Sequence, residues 1–574
     1  MTSGVRAVDG PRVKRRAARP RADVVKTYTN PRYAHRRAPE LDGAAAHHPV
    51  IVVGAGPVGL ALAIDLAQRG VPVVVLDDDD TVSVGSRAIC YAKRSLEILD
   101  RLGCGEPIVR KGVTWNTGKV FHRDELVYSF DLLPERGHRR PGMVNLQQYH
   151  LEEALVARAQ ALPALELRWK HKVVGLRTRD DGAEVDVDTP EGRYVLACDW
   201  LVACDGARSP VRGMLGLESE GQVFRDRFLI ADIHMQSGFP PERWFWFDPP
   251  FHPGQSVLLH RQADDVWRID FQLGWDADPD EEKKPERILP RLHAMLGPDA
   301  RFEIEWASVY TFQCRRMKRF RHGRVLFAGD SAHLVSPFGA RGANSGFQDA
   351  DNLGWKLALV LAGRAREALI DTYDAERTLA ADENLRASTR STDFITPKSA
   401  ASRTFRDAVL QLAKRHAFAR RLVNSGRLST PSVLADSPLN TPDVDDDFPR
   451  SAGAMVPGAP AVDAPVAGPL GDWLLPHLGP DFTLLAFGPV PAEAVDRFAR
   501  LDEPIRVLCV GGGAPPGAVA IDDPEGLVAA RYAARSGTCY LVRPDQHLCA
   551  RWRAFDADAI LRAQARALYR KDYA

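Results

Sequence analysis

The stretch Gly54-Ala55-Gly56-Pro57-Val58-Gly59 follows the apolar run Pro49-Val50-Ile51-Val52-Val53 and precedes a helical pattern over residues 60–69. Strand, glycine turn and helix in that order are what a dinucleotide-binding βαβ unit requires. Gly54 permits the tight turn, Gly56 admits a pyrophosphate to the backbone, and Gly59 lets helix and strand pack closely. Pro57 and Val58 share the same turn, at the positive end of the helix, where phosphate charge is stabilised. After Gly70 a second apolar strand, 71–76, ends in Asp77, about 20 residues past the glycines, where a carboxylate meets a ribose hydroxyl. Asp77 opens the run 77–80, whose other three aspartates read as a solvated acidic turn.

Bulk properties narrow the field. At 574 residues the chain is too long for one core, and about two to four domains are expected. Its 76 basic and 75 acidic side chains cancel, so no global field favours nucleic acid or an anionic membrane. No apolar stretch is long enough to span a bilayer. Cys90, Cys104, Cys198, Cys204, Cys314, Cys509, Cys539 and Cys549 lack CxxC or metal-ligand spacing, and no signal peptide precedes them. They read as reduced, mostly buried thiols of a cytoplasmic protein with no bound metal. In residues 1–48, Arg6, Arg12, Lys14, Arg15, Arg16, Arg19, Arg21 and Lys26 alternate with Ala, Val and Pro without apolar periodicity. That segment reads as a flexible basic arm; Arg15-Arg16 lacks the apolar run that an export signal needs.

Further along, residues 91–102 and 147–162 read as helices and 106–141 as loop with short strand. Residues 165–169, 173–177, 183–189, 193–196 and 199–204 read as strands. From 217 to 306, short runs alternate apolar and polar residues, as in 228–235, 243–247, 255–260 and 266–273. That is the pattern of an antiparallel sheet with one packed face. Strand 325–328 returns to α/β character and leads into a long helix reaching Leu361, with helical segments to about residue 425. Residues 431–467, rich in Pro, Asp and Ala, read as a linker, and 468–574 as a compact α/β unit. The expected architecture is α/β, with one nucleotide-binding domain over 49–216 and 307–430 and an antiparallel-sheet domain inserted at 217–306.

Two further segments place a carboxylate after an apolar strand, at the sheet edge where open α/β folds bind ligands. One is Trp200-Leu201-Val202-Ala203-Cys204-Asp205-Gly206-Ala207-Arg208-Ser209. The other, Val325-Leu326-Phe327-Ala328-Gly329-Asp330-Ser331-Ala332-His333, runs on through Ser336-Pro337-Phe338-Gly339-Ala340-Arg341-Gly342-Ala343-Asn344 into the long helix. With the glycine turn, these resemble, over residues 49 to about 380, the three fingerprints of single-component FAD-dependent aromatic hydroxylases of the p-hydroxybenzoate hydroxylase fold. The resemblance implies a Rossmann-like FAD domain that holds the cofactor at Gly54, Gly56, Pro57, Val58, Gly59 and Asp77. It implies Arg87 beside the FAD ribose and diphosphate, where a guanidinium suits the charge, and Gln148 against the flavin. Asp330, after Gly329, is then on the ribityl chain, and Asp205 and Arg208 anchor the second fingerprint. Backbone N–H groups of Gly342, Ala343 and Asn344 face the flavin pyrimidine and stabilise the negative charge of reduced flavin.

Two departures stand out. The family usually has Gly-Gln-Gly where this chain has Gly339-Ala340-Arg341-Gly342, so Arg341 faces an anionic substrate or the reduced flavin, or else pairs with Asp349 or solvent. Glutamate is common in the family where Asp77 stands. His333 reads as structural rather than as a base. Alternation puts only half of Trp244, Phe245, Trp246 and Phe247 on any one face, so they read as sheet packing. Tyr310, Phe312 and Phe338 are the expected pocket walls, with Trp115 and His260 as further candidates for the wall, and no catalytic base is identifiable.

Beyond the linker, Phe482-Thr483-Leu484-Leu485-Ala486-Phe487-Gly488 and Tyr540-Leu541-Val542-Arg543-Pro544-Asp545 resemble the thioredoxin-like tail of the phenol hydroxylase and 3-(3-hydroxyphenyl)propionate hydroxylase-like branch. With no CxxC pair, that domain serves packing or dimerisation, not redox chemistry. The family implies a monooxygenase that uses NADH or NADPH and O2 to hydroxylate a phenolic ring through a C4a-hydroperoxyflavin, as a possible homodimer. Tailoring of a polycyclic aromatic natural product, a flavin dehydrogenase that does not activate O2, and a non-catalytic flavin-binding protein are the alternatives.

Overall fold

Strand Ala46–Val53 is buried from Val50 to Val53 and pairs in parallel with Val73–Asp77 on one side and Gly192–Ala203 on the other. A continuous apolar run paired on both edges is what a covered parallel sheet demands. The computed structural model describes residues 28–43, 46–423, 428–445, 447–451 and 453–570. Around this strand the sheet runs Arg321–His322, Val325–Phe327, Gly192–Ala203, Ala46–Val53, Val73–Asp77, Leu165–Trp169. Helices Pro57–Gln68, Gln148–Gln160 and Gly342–Leu361 contribute to the same hydrophobic core.

The two strands expected at 193–196 and 199–204 are one, Gly192–Ala203. Its first part pairs antiparallel with Ala183–Thr189 and its last part parallel with Ala46–Val53. Burial alternates over the first part and becomes continuous from Trp200, so the change of pattern marks a change of partners, not a break. The helix expected at 91–102 begins later, as Lys93–Arg101, because Cys90–Ala92 is a strand paired with Met143–Asn145.

The second sheet is ordered His333–Leu334, Glu303–Met317, Ser219–His234, Val266–Leu273, Ser256–Arg261, Arg243–Phe247, Thr117–His122, Glu125–Asp131. It therefore takes two strands from the segment read as loop at 106–141, which also forms helix Gly105–Lys111, and runs past residue 306 to Met317. One face, carrying Trp246, Val257, Leu259, Trp267, Ile269 and Phe271, packs with Ile288 and Leu292 of helix Pro285–Leu296. The other face turns toward the nucleotide-binding sheet.

The C-terminal sheet is ordered Val519–Ile521, Ile505–Val510, Phe482–Ala486, Cys539–Val542, Leu548–Trp552. A parallel βαβ pair followed by an antiparallel ββα unit ending in helix Ala557–Ala567 is the thioredoxin-like arrangement. Cys509 and Cys539 flank Ala486 on its two neighbouring strands, about 10 Å apart at two strand spacings, and all eight cysteines are free.

Residues expected to be a linker are a packed strap. Leu434, Leu439, Phe448, Met455, Ala461 and Ala464 are buried, most of them in the cores of the C-terminal unit. Arg551 grips Asp443 at 2.6 and 2.9 Å, and Arg551 and Arg553 both lie over the Phe448 ring. The Pro- and Asp-rich composition signalled irregular backbone; the aspartates are counter-ions for those arginines. The arm also departs from expectation where it is described. Tyr28 stacks on Tyr149 with centroids 3.9 Å apart and Tyr33 on Trp169 at 4.7 Å, while the cations from Arg6 to Lys26 lie outside the described residues.

A buried charge network joins the C-terminal unit to the rest. Arg543 donates to Glu376 at 2.6 and 3.2 Å and to Asp545 at 2.5 and 3.0 Å. Lys356 and Asn352, on helix Gly342–Leu361, each donate to the same Glu376 Oε2 at 2.7 Å. Arg543, Glu376, Asp545 and Lys356 are all 1% exposed or less. Burial alone would raise the Glu376 carboxyl, but Arg543 and Lys356 hold it far below the usual range, while burial pulls the Lys356 ammonium down to about 8. Removing one member leaves the others uncompensated. Glu376→Ala is expected to cost about 3–5 kcal/mol, measured as the shift in urea-unfolding midpoint against the unchanged chain.

Candidate functional site

The glycine turn sits where two strand ends converge. Gly54 has φ +104°, and a Cβ there would lie 2.6 Å from the Cys204 carbonyl oxygen. A Cβ at Gly59 would lie 2.0 Å from the Gly54 carbonyl oxygen. At Gly56 a Cβ would meet nothing, and no side chain caps the helix that begins at Pro57. Its first N–H groups are thus left for an anion. Asp77 accepts the Ala55 N–H at 2.6 Å and the Asp79 N–H at 2.9 Å. Burial pushes its carboxyl up to about 6 against those two donors.

The second motif is held by Arg212 rather than Arg208. Arg212 donates to the carbonyls of Ser331 and Ala207, both at 2.8 Å, tying the second motif to the third. Arg208 is exposed and lies off the cavity wall. Asp205 accepts the Val211 N–H at 3.0 Å, while its Oδ1 is buried with no partner among the described residues. Burial raises its pKa.

The third motif is organised by Asp349, which is fully buried. It accepts from the Gly329 N–H at 2.9 Å, from Arg377 at 2.7 Å and pairs with His333 at 2.6 Å. His333 and Arg377 hold its carboxyl below the usual range against burial. His333 is therefore a packing partner and does not line the cavity. Asp330, one residue past Gly329, does line it, with its side chain open to the cavity, and desolvation by the surrounding protein raises its carboxyl against the pull of His333 and Arg87.

One cavity of about 700 Å³ connects all of this. Gly54, Gly56, Pro57, Val58, Asp77, Arg87, Gln148, Asp205, Asp330, Gly342 and Ala343 line it; Gly59, Gly329 and Asn344 stand behind the wall. Asn344 accepts the Ala92 N–H at 2.8 Å and donates to the Cys90 carbonyl at 2.9 Å, fastening the long helix to strand Cys90–Ala92. Gln148 accepts the Ala88 N–H at 3.0 Å and donates to Ser83 and to Glu152. Glu152, which the sequence did not single out, is buried and accepts from the Ser83 N–H at 2.6 Å and its hydroxyl at 2.7 Å. The pair shapes the loop that presents Arg87.

At the far end the wall is the second sheet. Tyr310, Phe312, Phe338 and Arg341 line it, as does His260. The rings of Phe228, Phe312 and Phe338 meet at 5.0–5.2 Å, and burial pushes the Tyr310 hydroxyl up to about 12. Arg341 donates to Asn384 at 3.1 Å and not to Asp349, whose oxygens are taken. Trp115 is behind the wall, donating to Asn145 at 2.7 Å. Trp244 and Trp246 face the opposite side of the sheet, while Phe245 and Phe247 line a smaller recess of about 60 Å³ beside Phe338. Among the described residues no group of three His, Cys, Asp or Glu is placed to hold a metal, and no helix is long and apolar enough to cross a membrane.

A dinucleotide cradle thus opens into a chamber closed by an antiparallel sheet. A family model described as FAD binding domain matches residues 47–388. The chain belongs to the FAD-dependent aromatic hydroxylases. This hydroxylase is 31% identical over 524 residues to the 12-dehydrotetracycline 5-monooxygenase/anhydrotetracycline 6-monooxygenase of Streptomyces rimosus, a match covering 88% of this chain and 95% of that one. It is 29% identical over 362 residues to the 3-(3-hydroxy-phenyl)propionate/3-hydroxycinnamic acid hydroxylase of Mycolicibacterium smegmatis, covering 63% and 64% of the two chains. The solved structure of aklavinone-11 hydroxylase with FAD and aklavinone superposes with a TM-score of 0.73 at 25% identity, over 92% of this chain and all of that one. The protein is an FAD-dependent monooxygenase of aromatic compounds, with NADH or NADPH as the family's reductant.

The residues present fit FAD. Gly56 and Gly206 leave open space where a Cβ would stand, Gly342 has nothing nearer than 3.7 Å, and the orphaned Asp205 Oδ1 offers an acceptor to a hydroxyl. Bound FAD would supply the redox chemistry; the chain's own residues supply the cradle and the chamber beside it. Gly54→Ala is expected to lose bound flavin and to destabilise the protein by about 2 kcal/mol or more, since a strained φ and a backbone collision coincide. Flavin absorbance per protein and the unfolding midpoint check both.

Proposed function

We propose that this hydroxylase acts on a fused-ring phenolic compound, using NADH or NADPH and O2. The observation that carries the reading is the width of the chamber wall. Arg243, Leu258, Asp270, Ile230 and Ser308 all line it and stand on five adjacent strands of one sheet. Five strands span about 19 Å at the usual inter-strand spacing, several times the width of a single ring. The match to a tetracycline monooxygenase over 95% of that relative's length supports the same reading.

Within that reading the glycine turn and Pro57–Val58 carry the diphosphate, Asp77 and Arg87 the adenosine ribose side, and Asp205 and Asp330 the ribityl hydroxyls. The N-terminus of helix Gly342–Leu361 faces the flavin ring, where its dipole stabilises negative charge, with Gln148 close by. Phe228, Phe312 and Phe338 keep water from the reacting carbon. Free thiols, all but Cys204 buried, suit a reducing cytoplasm.

Anaerobic stopped-flow reduction by NADH and by NADPH tests the reading. A fused-ring phenol is expected to speed flavin bleaching at least about tenfold, a barrier change of about 1.4 kcal/mol, and to yield a hydroxylated product when O2 is admitted. Stimulation by single-ring phenols alone overturns the fused-ring assignment. Fast reduction without any aromatic, and no oxygenated product, overturns monooxygenation in favour of a dehydrogenase.

A further inference from the structure

The chamber face of the sheet is mostly apolar, yet three neighbouring strands place Arg243, His260 and Asp270 on it, and all three line the cavity. The pairing register explains their meeting. Trp244 pairs with Leu259, so Arg243, one residue earlier, stands across from His260; His260 pairs with Arg268, and Leu258 with Asp270. Because side chains alternate, Arg243, Leu258, His260, Arg268 and Asp270 project from the same face.

Their hydrogen-bonding states differ sharply. Arg268 is satisfied: it grips Asp232 at 2.7 and 2.8 Å and donates to the Ser86 carbonyl. Arg243 is 7% exposed, and its side chain makes no hydrogen bond or ion pair with any described residue; its charge is felt by Cys90, His260 and Asp270 without direct contact. His260 is 3% exposed with Nδ1 unpartnered, and Asp270 Oδ1 is likewise buried and unpartnered. A buried polar atom left unpaired costs about 1–3 kcal/mol, and two such atoms beside an unpaired guanidinium on one cavity wall mark groups that await a ligand. Burial keeps His260 neutral and pushes the Asp270 carboxyl up to about 7. The recess thus offers a cationic donor, a neutral ring donor and an acceptor.

We propose that Arg243, His260 and Asp270 form a specificity recess that binds the hydroxyl–carbonyl edge of the aromatic substrate. Arg243 and the His260 ring donate to the carbonyl or enolate oxygen, and the Asp270 carboxyl accepts from the adjacent hydroxyl. The assignment rests on the fused-ring reading, in which a hydroxyl peri to a ring carbonyl presents acceptor and donor side by side. It orients the ring in the chamber, and accepting the hydroxyl hydrogen raises electron density on the carbons ortho and para to that oxygen, which favours attack by an electrophilic oxygen there. Arg268 positions the recess through Asp232 and the Ser86 carbonyl and takes no part in binding.

The test is equilibrium binding to the FAD-loaded enzyme, read from the flavin difference spectrum. The probes are 1-hydroxyanthraquinone against anthraquinone, and 2′-hydroxyacetophenone against acetophenone. The unchanged enzyme is expected to bind the hydroxy ketone of a pair at least about tenfold more tightly than its parent, or about 1.4 kcal/mol. Arg243→Met and Asp270→Leu are each expected to bring that ratio to within about twofold, with FAD content and melting temperature held as the check on folding. Asp270→Leu keeps the side-chain size while removing both acceptor oxygens, and decides the matter if Arg243→Met does not load FAD. A ratio near one in the unchanged enzyme, or a ratio retained in folded Asp270→Leu, overturns the recess, as does failure of both hydroxy ketones to bind. Binding confined to the single-ring pair, with the same ratio and the same loss in the variants, sustains the recess and overturns the fused-ring reading instead.

Discussion

Asp349 is the carboxylate on which the site depends. Placed on the long helix with no exposure, it fixes the Gly329 N–H, the His333 ring and the Arg377 guanidinium at once. Arg377 in turn reaches Ser345 in the first turn of the same helix. One ionised group thereby sets the position of Asp330 relative to the helix start that follows it. Gly346 of this helix and Gly329 of the preceding turn both lie against Val58, since a Cβ at either glycine would fall within 2.9 Å of that side chain. The first and third motifs are locked together by contacts that leave no room for a larger residue.

Much of this was legible because local chemistry dictated it. The glycine turn, Asp77 at its strand end and the two later carboxylates each carry a mechanism that short-range sequence states openly. So did the alternation that sent Trp244 and Trp246 to one face and Phe245 and Phe247 to the other. What stayed hidden was pairwise and long-range. Nothing near Glu152 announces that it holds the loop around Ser83, and nothing near Arg212 announces its reach to Ser331. Arg243 and Asp270 gave a fainter signal: charged residues at positions that alternation assigns to a covered face. Read as an exception to the pattern, that signal points to the chamber, but only the register shows that they are neighbours.

Strand Gly192–Ala203 shows a second kind of limit. Its sequence changes character near Asp199, and the change resembles a boundary between two elements. In the fold it is one strand passing from a half-exposed antiparallel meander into a fully covered parallel sheet. The strap over 431–467 is the same lesson in another form: a composition that signals irregular backbone says nothing about whether that backbone is packed. Here Phe448 beneath two arginines makes it part of a core.

The four charges shared by Lys356, Glu376, Arg543 and Asp545 make the C-terminal unit something other than an interchangeable module. Thioredoxin-like domains look portable, and an engineer wishing to lend this chain a relative's tail would cut near the strap. The cut would leave the Lys356–Glu376 pair on one side and the Arg543–Asp545 pair on the other, and break the two Arg543–Glu376 bonds that hold the buried pairs against each other. A lineage that exchanged such tails would have to inherit both halves of the set together, so the partners on helix Gly342–Leu361, which also opens onto the flavin chamber, are bound to the ancestry of a domain that never touches it.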